Sequence, residues 1–152
     1  MTAWNEVVAA EPGFGAHVRR CFAIGKHATL ATLRRDGAPR ISGTEVDFDE
    51  DGELYLGMMP GSRKALDLRR DPRLALHSPT ADPPEDDPAS WLGDAKIAGT
   101  AVEVSDRSRT DQPHRFRVEI TEVVLTSLAS SGDRLVIQSW HPDRGLERRE
   151  RR

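Results

Sequence analysis

The sequence predicts a mainly β domain, a small antiparallel barrel with short helices at its edge. Three observations carry this. Apolar residues alternate with period two over most of the chain after residue 28, Gly, Pro and Asp interrupt it at short intervals, and helical spacing is confined to the first 22 residues and one short later segment. A chain of 152 residues is the length of one domain that buries roughly two thirds of its unfolded surface. Residues 1–152 are therefore read as a single domain.

The elements follow in order. Trp4, Val7 and Val8, a break at Glu11-Pro12-Gly13, and then Phe14, Val18, Cys21 and Phe22 fit two short amphipathic helices. From Thr29 the period changes: TLATL, a turn at Arg35-Asp36-Gly37, ISGTEVDF, a turn at Asp49-Glu50-Asp51-Gly52, then ELYLGMM. In the last of these, Leu54, Leu56 and Met58 share one face while Tyr55, Gly57 and Met59 share the other. RLALHS, KIAGTAVEV, FRVEITEVVLTSL and RLVIQSW read as further strands. The expected architecture is a six-stranded antiparallel barrel. Residues 79–95 hold too much Pro and acid to continue a sheet and read as a loop or lid. Residues 147–152, Glu147-Arg148-Arg149-Glu150-Arg151-Arg152, read as a solvated basic tail.

Composition excludes several classes. With 31% charged residues and no apolar run near the ~20 residues of a membrane span, the expectation is a soluble cytoplasmic protein with no membrane partner. Net charge is −3, and of the 22 basic residues only Lys26, Lys64 and Lys96 are lysines; no nucleic-acid partner is expected. Cys21 is the only cysteine and is given no redox role. His17, His27, His77, His114 and His141 show no ligand-like pairing, so no metal site is expected. Gly13-Phe14-Gly15-Ala16-His17-Val18 lacks the third glycine of a dinucleotide fingerprint, and neither a Walker-type loop nor a G-x-S-x-G elbow occurs.

One segment breaks a local rule. In Met58 to Pro72, MMPGSRKALDLRRDP, Ser62 is a good N-cap whose side chain can accept from the first-turn amides, and Asp71-Pro72 ends the helix. Yet Arg63 and Lys64 occupy that first turn, where the helix dipole is already positive. Two cations beside free amides make a site for a multiply charged anion such as phosphate. Gly57 immediately precedes this turn and Gly43 stands in the neighbouring strand. A strand glycine marks either close approach of a ligand or a β-bulge; the first reading leaves room for a planar ring beside the phosphate.

Residues 28–78 resemble the pyridoxamine 5'-phosphate oxidase-like flavin-binding family, a split β-barrel. The similarity rests on the ATL strand opening, the D-G-x-P turn, the D-G-x-L-Y-L strand, the S-R-K element and the R-R-D-P-R-L-A-L helix exit. The resemblance implies a six-stranded split barrel and a homodimer with cofactor at the interface. It implies that Ser62, Arg63 and Lys64 hold the cofactor phosphate, and that Arg40, Ser42, Gly43, Thr44, Gly57 and Met58 line the ring and ribityl chain. Trp140 either approaches the flavin from the partner subunit or ends a core strand. The cofactor is FMN or the 8-hydroxy-5-deazaflavin coenzyme, whose acidic tail would call on Arg69, Arg70 and Arg73.

The departures narrow the activity. Where the true oxidases carry a substrate-gripping lysine this chain reads Ser42-Gly43-Thr44-Glu45, and it has His141-Pro142-Asp143-Arg144 in place of their R-L-H motif. Oxidation of pyridoxamine phosphate is not expected. The implied function is a flavin- or deazaflavin-dependent oxidoreductase acting on a small-molecule substrate, the alternative being a carrier or sensor that binds flavin without turnover. Haem binding, through His77 or His141, is a third implication. Glu45, His77 and His141 are the titratable candidates, and no catalytic residue is assigned.

Overall fold

The change of period after residue 28 marks the boundary between helical and sheet structure in the computed structural model of the protein, which describes residues 2–152. Helices α1 (Trp4–Ala10) and α2 (Pro12–Phe22) come first, joined through Glu11 with Pro12 at the start of α2. Proline is tolerated there because the first helical N–H has no partner in any case. Strands β1 (His27–Leu33), β2 (Pro39–Phe48) and β3 (Leu54–Met58) form the meander, followed by α3 (Arg63–Arg70) and β4 (Arg73–His77). Strands β5 (Asp94–Glu103), β6 (His114–Leu128), β7 (Leu135–His141) and β8 (Gly145–Arg151) complete the chain.

All pairings are antiparallel, in the order β3-β2-β1-β4-β5-β6-β7-β8. An added β3–β6 ladder closes the first six strands into the expected barrel. Length makes this possible: β6 pairs with β3 through residues 114–117 and with β7 through 123–128, so one edge of one strand serves two neighbours. Its other edge carries β5 with a register shift at Ala98/Gly99. A Cβ at Gly99 would lie 2.1 Å from the Glu119 carbonyl oxygen, so the bulge requires glycine there.

Residues 147–152 depart from the expected solvated tail. They continue from Gly145 into β8, in register from Leu135↔Arg151 to His141↔Gly145, with Glu150 4.0 Å or closer to both Arg134 and Arg148. The alternating charges that suggested a tail are the exposed surface of an edge strand, a common protection against edge-to-edge association. Residues 79–93 lie outside the sheet, with one 3₁₀ turn at Pro88–Ser90, whereas Asp94 and Ala95, read from the sequence as part of the loop 79–95, already belong to β5.

The core fills the barrel and the space beneath α1 and α2. Leu54, Leu56 and Met58 point inward as their alternation predicts, joining Leu30, Leu76, Ile97, Phe116 and Ile120. Phe48 receives the edges of Trp4 and Phe22 at centroid distances of 4.9 and 5.6 Å, which fixes the helices across one end of the barrel. Cys21 is buried here; its burial pushes the thiol up to about 11, the environment of an inert cysteine. Among the described residues no helix is long and apolar enough to cross a membrane, and no group of His, Cys, Asp or Glu is arranged to hold a metal ion.

Candidate functional site

The turn from Met59 to Ser62 joins β3 to α3. Gly61 takes φ +72°, a conformation that side-chain-bearing residues disfavour, and the Ser62 amide closes the turn on the Met59 carbonyl at 3.2 Å. Ser62 has the extended backbone of an N-cap, φ −61° and ψ 145°, and its carbonyl accepts the Leu66 amide at 3.2 Å. Its side chain departs from expectation and makes no cap hydrogen bond. Among the described residues, Ser62 Oγ is one of two buried side-chain polar atoms without a partner. An unpaired buried hydroxyl costs about 1–3 kcal/mol. The first-turn amides of α3, which lack intrahelical acceptors, also go uncapped by it.

Two separate cavities border the first turn of α3, and the consecutive cations divide between them, while Ser62 lines neither. Lys64 borders a cavity of about 590 Å³ together with Gly43, Thr44, Gly57 and Met58. The Lys64 ammonium donates to the Gly43 carbonyl at 2.6 Å, and burial lowers its pKa. Gly43 and Gly57 lie on the outward sides of β2 and β3, and a Cβ at either would meet nothing within 4 Å. Neither interrupts its ladder: Gly43 faces Thr29 and Gly57 faces Glu45 in continuous register. The bulge reading of these two glycines is therefore replaced by an open, side-chain-free surface. Met58 reaches this wall from the core, with 4% of its surface exposed.

Arg63 borders the other cavity, about 930 Å³, with Arg34, Arg35 and Arg40. Buried Asp67 organises its floor. The carboxylate accepts from Arg40 Nε at 2.7 Å, Thr32 Oγ1 at 2.8 Å and Arg70 Nη2 at 3.0 Å. Burial works to raise its pKa, and the bonds from Arg40, Thr32 and Arg70 outweigh it, holding the carboxyl below its ordinary value. Arg69 is gripped by both Glu103 oxygens, at 2.9 and 2.7 Å, and Arg73 by Asp71 at 2.7 Å. The three arginines assigned to an acidic tail are thus all engaged within the chain. Arg34, Arg35 and Arg63 are the wall residues without an acidic partner among the described residues.

Ser42 and Trp140 border neither cavity. Ser42 is half-buried on the inward side of β2 between Arg40 and Thr44. Trp140 is 5% exposed and belongs to the core, on β7 opposite Val123 and Leu146. Glu45 borders the glycine cavity and pairs with Lys26 at 3.3 Å. His141 has both ring nitrogens engaged, by Glu122 at 2.8 Å and Arg144 at 2.9 Å, and His77 Nδ1 lies 2.7 Å from the Ser78 carbonyl.

Two residues escaped the sequence reading. Asp67 carried a signal, since Arg70 follows three residues later on a helix whose polar face had to meet β1 and β2. His114 carried none. Its ring is 5% exposed and accepts the Gly61 amide at Nε2, 3.0 Å away, from 53 positions along the chain.

The open glycine surface, the orphaned Ser62 hydroxyl and the cations at the helix start fit a ligand with a flat part and a phosphate. Comparison with known proteins gives the family and the fold. Residues 15–138 match the family described as pyridoxamine 5'-phosphate oxidase. No protein of curated function matches the sequence significantly. Among solved structures, PhzG from Burkholderia lata 383, in complex with tetrahydrophenazine-1-carboxylic acid, is similar at 12% identity and a TM-score of 0.64, covering 97% of this chain and 92% of that one. A pyridoxamine 5'-phosphate oxidase-related, FMN-binding protein from Nostoc punctiforme PCC 73102 is similar at 10% identity and a TM-score of 0.63, over 93% and 96% of the two chains. A protein described as an F420 reductase shares 15% identity and a TM-score of 0.51, over 69% and 94%. At these identities the structures attest the shared fold.

Proposed function

Because the chain belongs to the pyridoxamine 5'-phosphate oxidase family, we propose that it binds FMN, or the 8-hydroxy-5-deazaflavin coenzyme, and acts as an oxidoreductase on a small conjugated substrate. The observation that carries this reading is the buried, unpartnered Ser62 hydroxyl at the start of a helix whose next two residues are Arg63 and Lys64. In the empty protein the two cations oppose the helix dipole and the hydroxyl lacks a bond. A phosphate relieves both, accepting from Ser62, from the first-turn amides and from the two side chains.

Either cofactor, once bound, supplies hydride transfer. The chain's own residues bind and orient it. Lys64 is held by the Gly43 carbonyl at the border between anion site and glycine surface, and the absent side chains of Gly43 and Gly57 leave the outward face of β2 and β3 clear. Arg40 is fixed by Asp67, so its guanidinium enters the arginine cavity already oriented. The true oxidases' substrate lysine is missing, and pyridoxamine phosphate is not the proposed substrate.

A second copy of the chain completes the proposed site. Across β2, β1, β4 and β5 the register lines up Ile41, Ala31, Ala75 and Ala98 on one outward face. Ile41 is 74% exposed. Small apolar residues beside the glycine surface suit a homodimer that covers the cofactor's open side.

The test is fluorescence titration of the apo-protein with FMN and with the deazaflavin coenzyme, followed by mixing the complex with reduced nicotinamide and reduced deazaflavin donors. Saturable binding of one cofactor, with its reduction by a donor, is expected. Binding weaker than roughly 0.1 mM for both, about 5.5 kcal/mol, would overturn the reading. Binding without reduction by any donor would leave a carrier.

A further inference from the structure

We propose that His114 is a positioning residue for the Met59–Ser62 turn: in its neutral Nδ1–H form it holds the Gly61 amide, and protonation releases the turn and weakens phosphate binding. The inference rests on the phosphate reading of Ser62, Arg63 and Lys64.

The hydrogen-bond inventory assigns the tautomer. A backbone amide can only donate, so the Gly61 contact at 3.0 Å requires a lone pair on His114 Nε2. The ring proton must then sit on Nδ1. That atom lies 3.6 Å from Glu103 Oε1 and 3.3 Å from Arg69 Nη2. Arg69 also only donates, so its contact with Nδ1–H is not a hydrogen bond; Arg69 gives its own bonds to Glu103. Glu103 takes Arg69 through two bonds and Arg107 at 3.4 Å, and these contacts lower its pKa. The Glu103 carboxylate therefore lies beside the Nδ1 side of the ring as the nearby acceptor.

The bond sits where it controls the site. Gly61 holds the positive φ that sets the direction of the following residue, and Ser62 is that residue. The backbone of His114 pairs with Met58 in the β3–β6 ladder, so the ring is anchored to the closing strand of the barrel while its tip meets the turn. Protonation places a second N–H against the Gly61 amide, donor to donor. The imidazolium then draws on Glu103, already shared with Arg69 and Arg107. On the side of β2 and β3 the neighbouring charged and titratable groups are Glu45, Asp47, Tyr55 and Arg115. Arg115 is stacked 3.9 Å over Tyr55 and bonded to Asp49 at 3.1 Å, and His114 Nε2 is the acceptor that the Gly61 amide meets.

FMN has its own titration in this range, since the second pKa of a phosphate monoester is about 6. The comparison therefore uses His114→Gln, whose side-chain oxygen can accept from Gly61 and does not titrate. FMN affinity should fall between pH 8 and pH 5.5 in both proteins. The wild-type fall should exceed that of H114Q by about tenfold, the equivalent of one lost hydrogen bond. His114→Ala should bind FMN about tenfold more weakly than wild type at pH 8. Parallel pH profiles for wild type and H114Q would overturn the proposal. Imidazole ¹⁵N spectra of the apo-protein supply a readout independent of cofactor and of folding defects in the variants. They should show His114 unprotonated at Nε2 at pH 8, with the Gly61 amide shift following its titration. A Gly61 amide that does not follow it would sink the inference even if FMN binds. Failure of wild type to bind either cofactor would overturn the phosphate reading, while the apo spectra still decide whether His114 holds the turn.

Discussion

The two cavities at the start of α3 differ in how their polar groups are satisfied. On the Arg63 side, Asp67 pairs with Arg40 and Arg70 and Glu103 with Arg69 and Arg107, two carboxylates to four guanidinium groups; Arg34, Arg35 and Arg63 add to the positive excess and Asp36 offsets one charge of it. On the Lys64 side, glycine, methionine and proline make up much of the wall, with Thr44, His27 and Glu45 beside them and one lysine tied to a carbonyl. The first side is built to meet charge and the second to meet a flat surface. The proposed cofactor would set its phosphate at the start of α3 and its ring on the glycine side.

The comparison can be broken most severely at the boundary. Replacing Arg63 and Lys64 together by alanine should weaken FMN binding by about 3–6 kcal/mol, from two charge-assisted contacts of about 1.5–3 kcal/mol each. Calorimetric titration checks it, and unchanged affinity would remove the anion site. Asp67→Asn comes next. Removing the charge that buries against Arg40 and Arg70 should cost about 3 kcal/mol of stability by denaturant unfolding. Its pH dependence has a definite sign. A carboxyl held below its unfolded value contributes stability above that value, near 4, and loses it as pH falls through the lower folded value. Wild type and D67N should therefore converge in stability only at acidic pH.

Gly57→Val sharpens the contrast from the other side. Its Cβ meets nothing in the chain and Val suits a strand, so stability should hold or rise by up to about 1 kcal/mol. FMN affinity should nonetheless fall at least tenfold, because the new side chain occupies the flat surface. A variant that binds FMN normally would move the ring elsewhere. The smallest effect is expected for Ser62→Ala. Deleting an unpartnered buried hydroxyl should leave the apo-protein at least as stable as before, with a gain of up to about 1–3 kcal/mol, while FMN binding weakens by about 1 kcal/mol. Loss of apo stability would mean that Oγ has a partner in the empty protein.

Much of this was legible in the sequence because it depends on local pattern. The alternation of Leu54, Leu56 and Met58 against Tyr55 and Gly57 gave the inward and outward faces of β3, and the misplaced cations at Arg63 and Lys64 flagged the helix start. What depends on distant pairing was not legible. Charges that read as a tail at residues 147–152 form β8, because pairing with β7 is decided by the Trp140-to-Gly145 reversal and not by composition. Arg69, Arg70 and Arg73 looked available because sequence does not display Glu103, Asp67 and Asp71 as their partners. Ser62 reads as a cap from its position, yet its side chain stays out of the capping bond. His114 is silent in sequence, since its role exists only once β6 closes on β3.

The central claim is that a phosphate, held at Ser62, Arg63 and Lys64, anchors the cofactor. Parallel titration of the apo-protein with FMN and with riboflavin, which share the ring and differ in the phosphate, tests it directly. Riboflavin should bind at least 100-fold more weakly than FMN, with the gap nearly abolished in the Arg63→Ala, Lys64→Ala variant. Equal affinity for the two in the wild-type protein would contradict it.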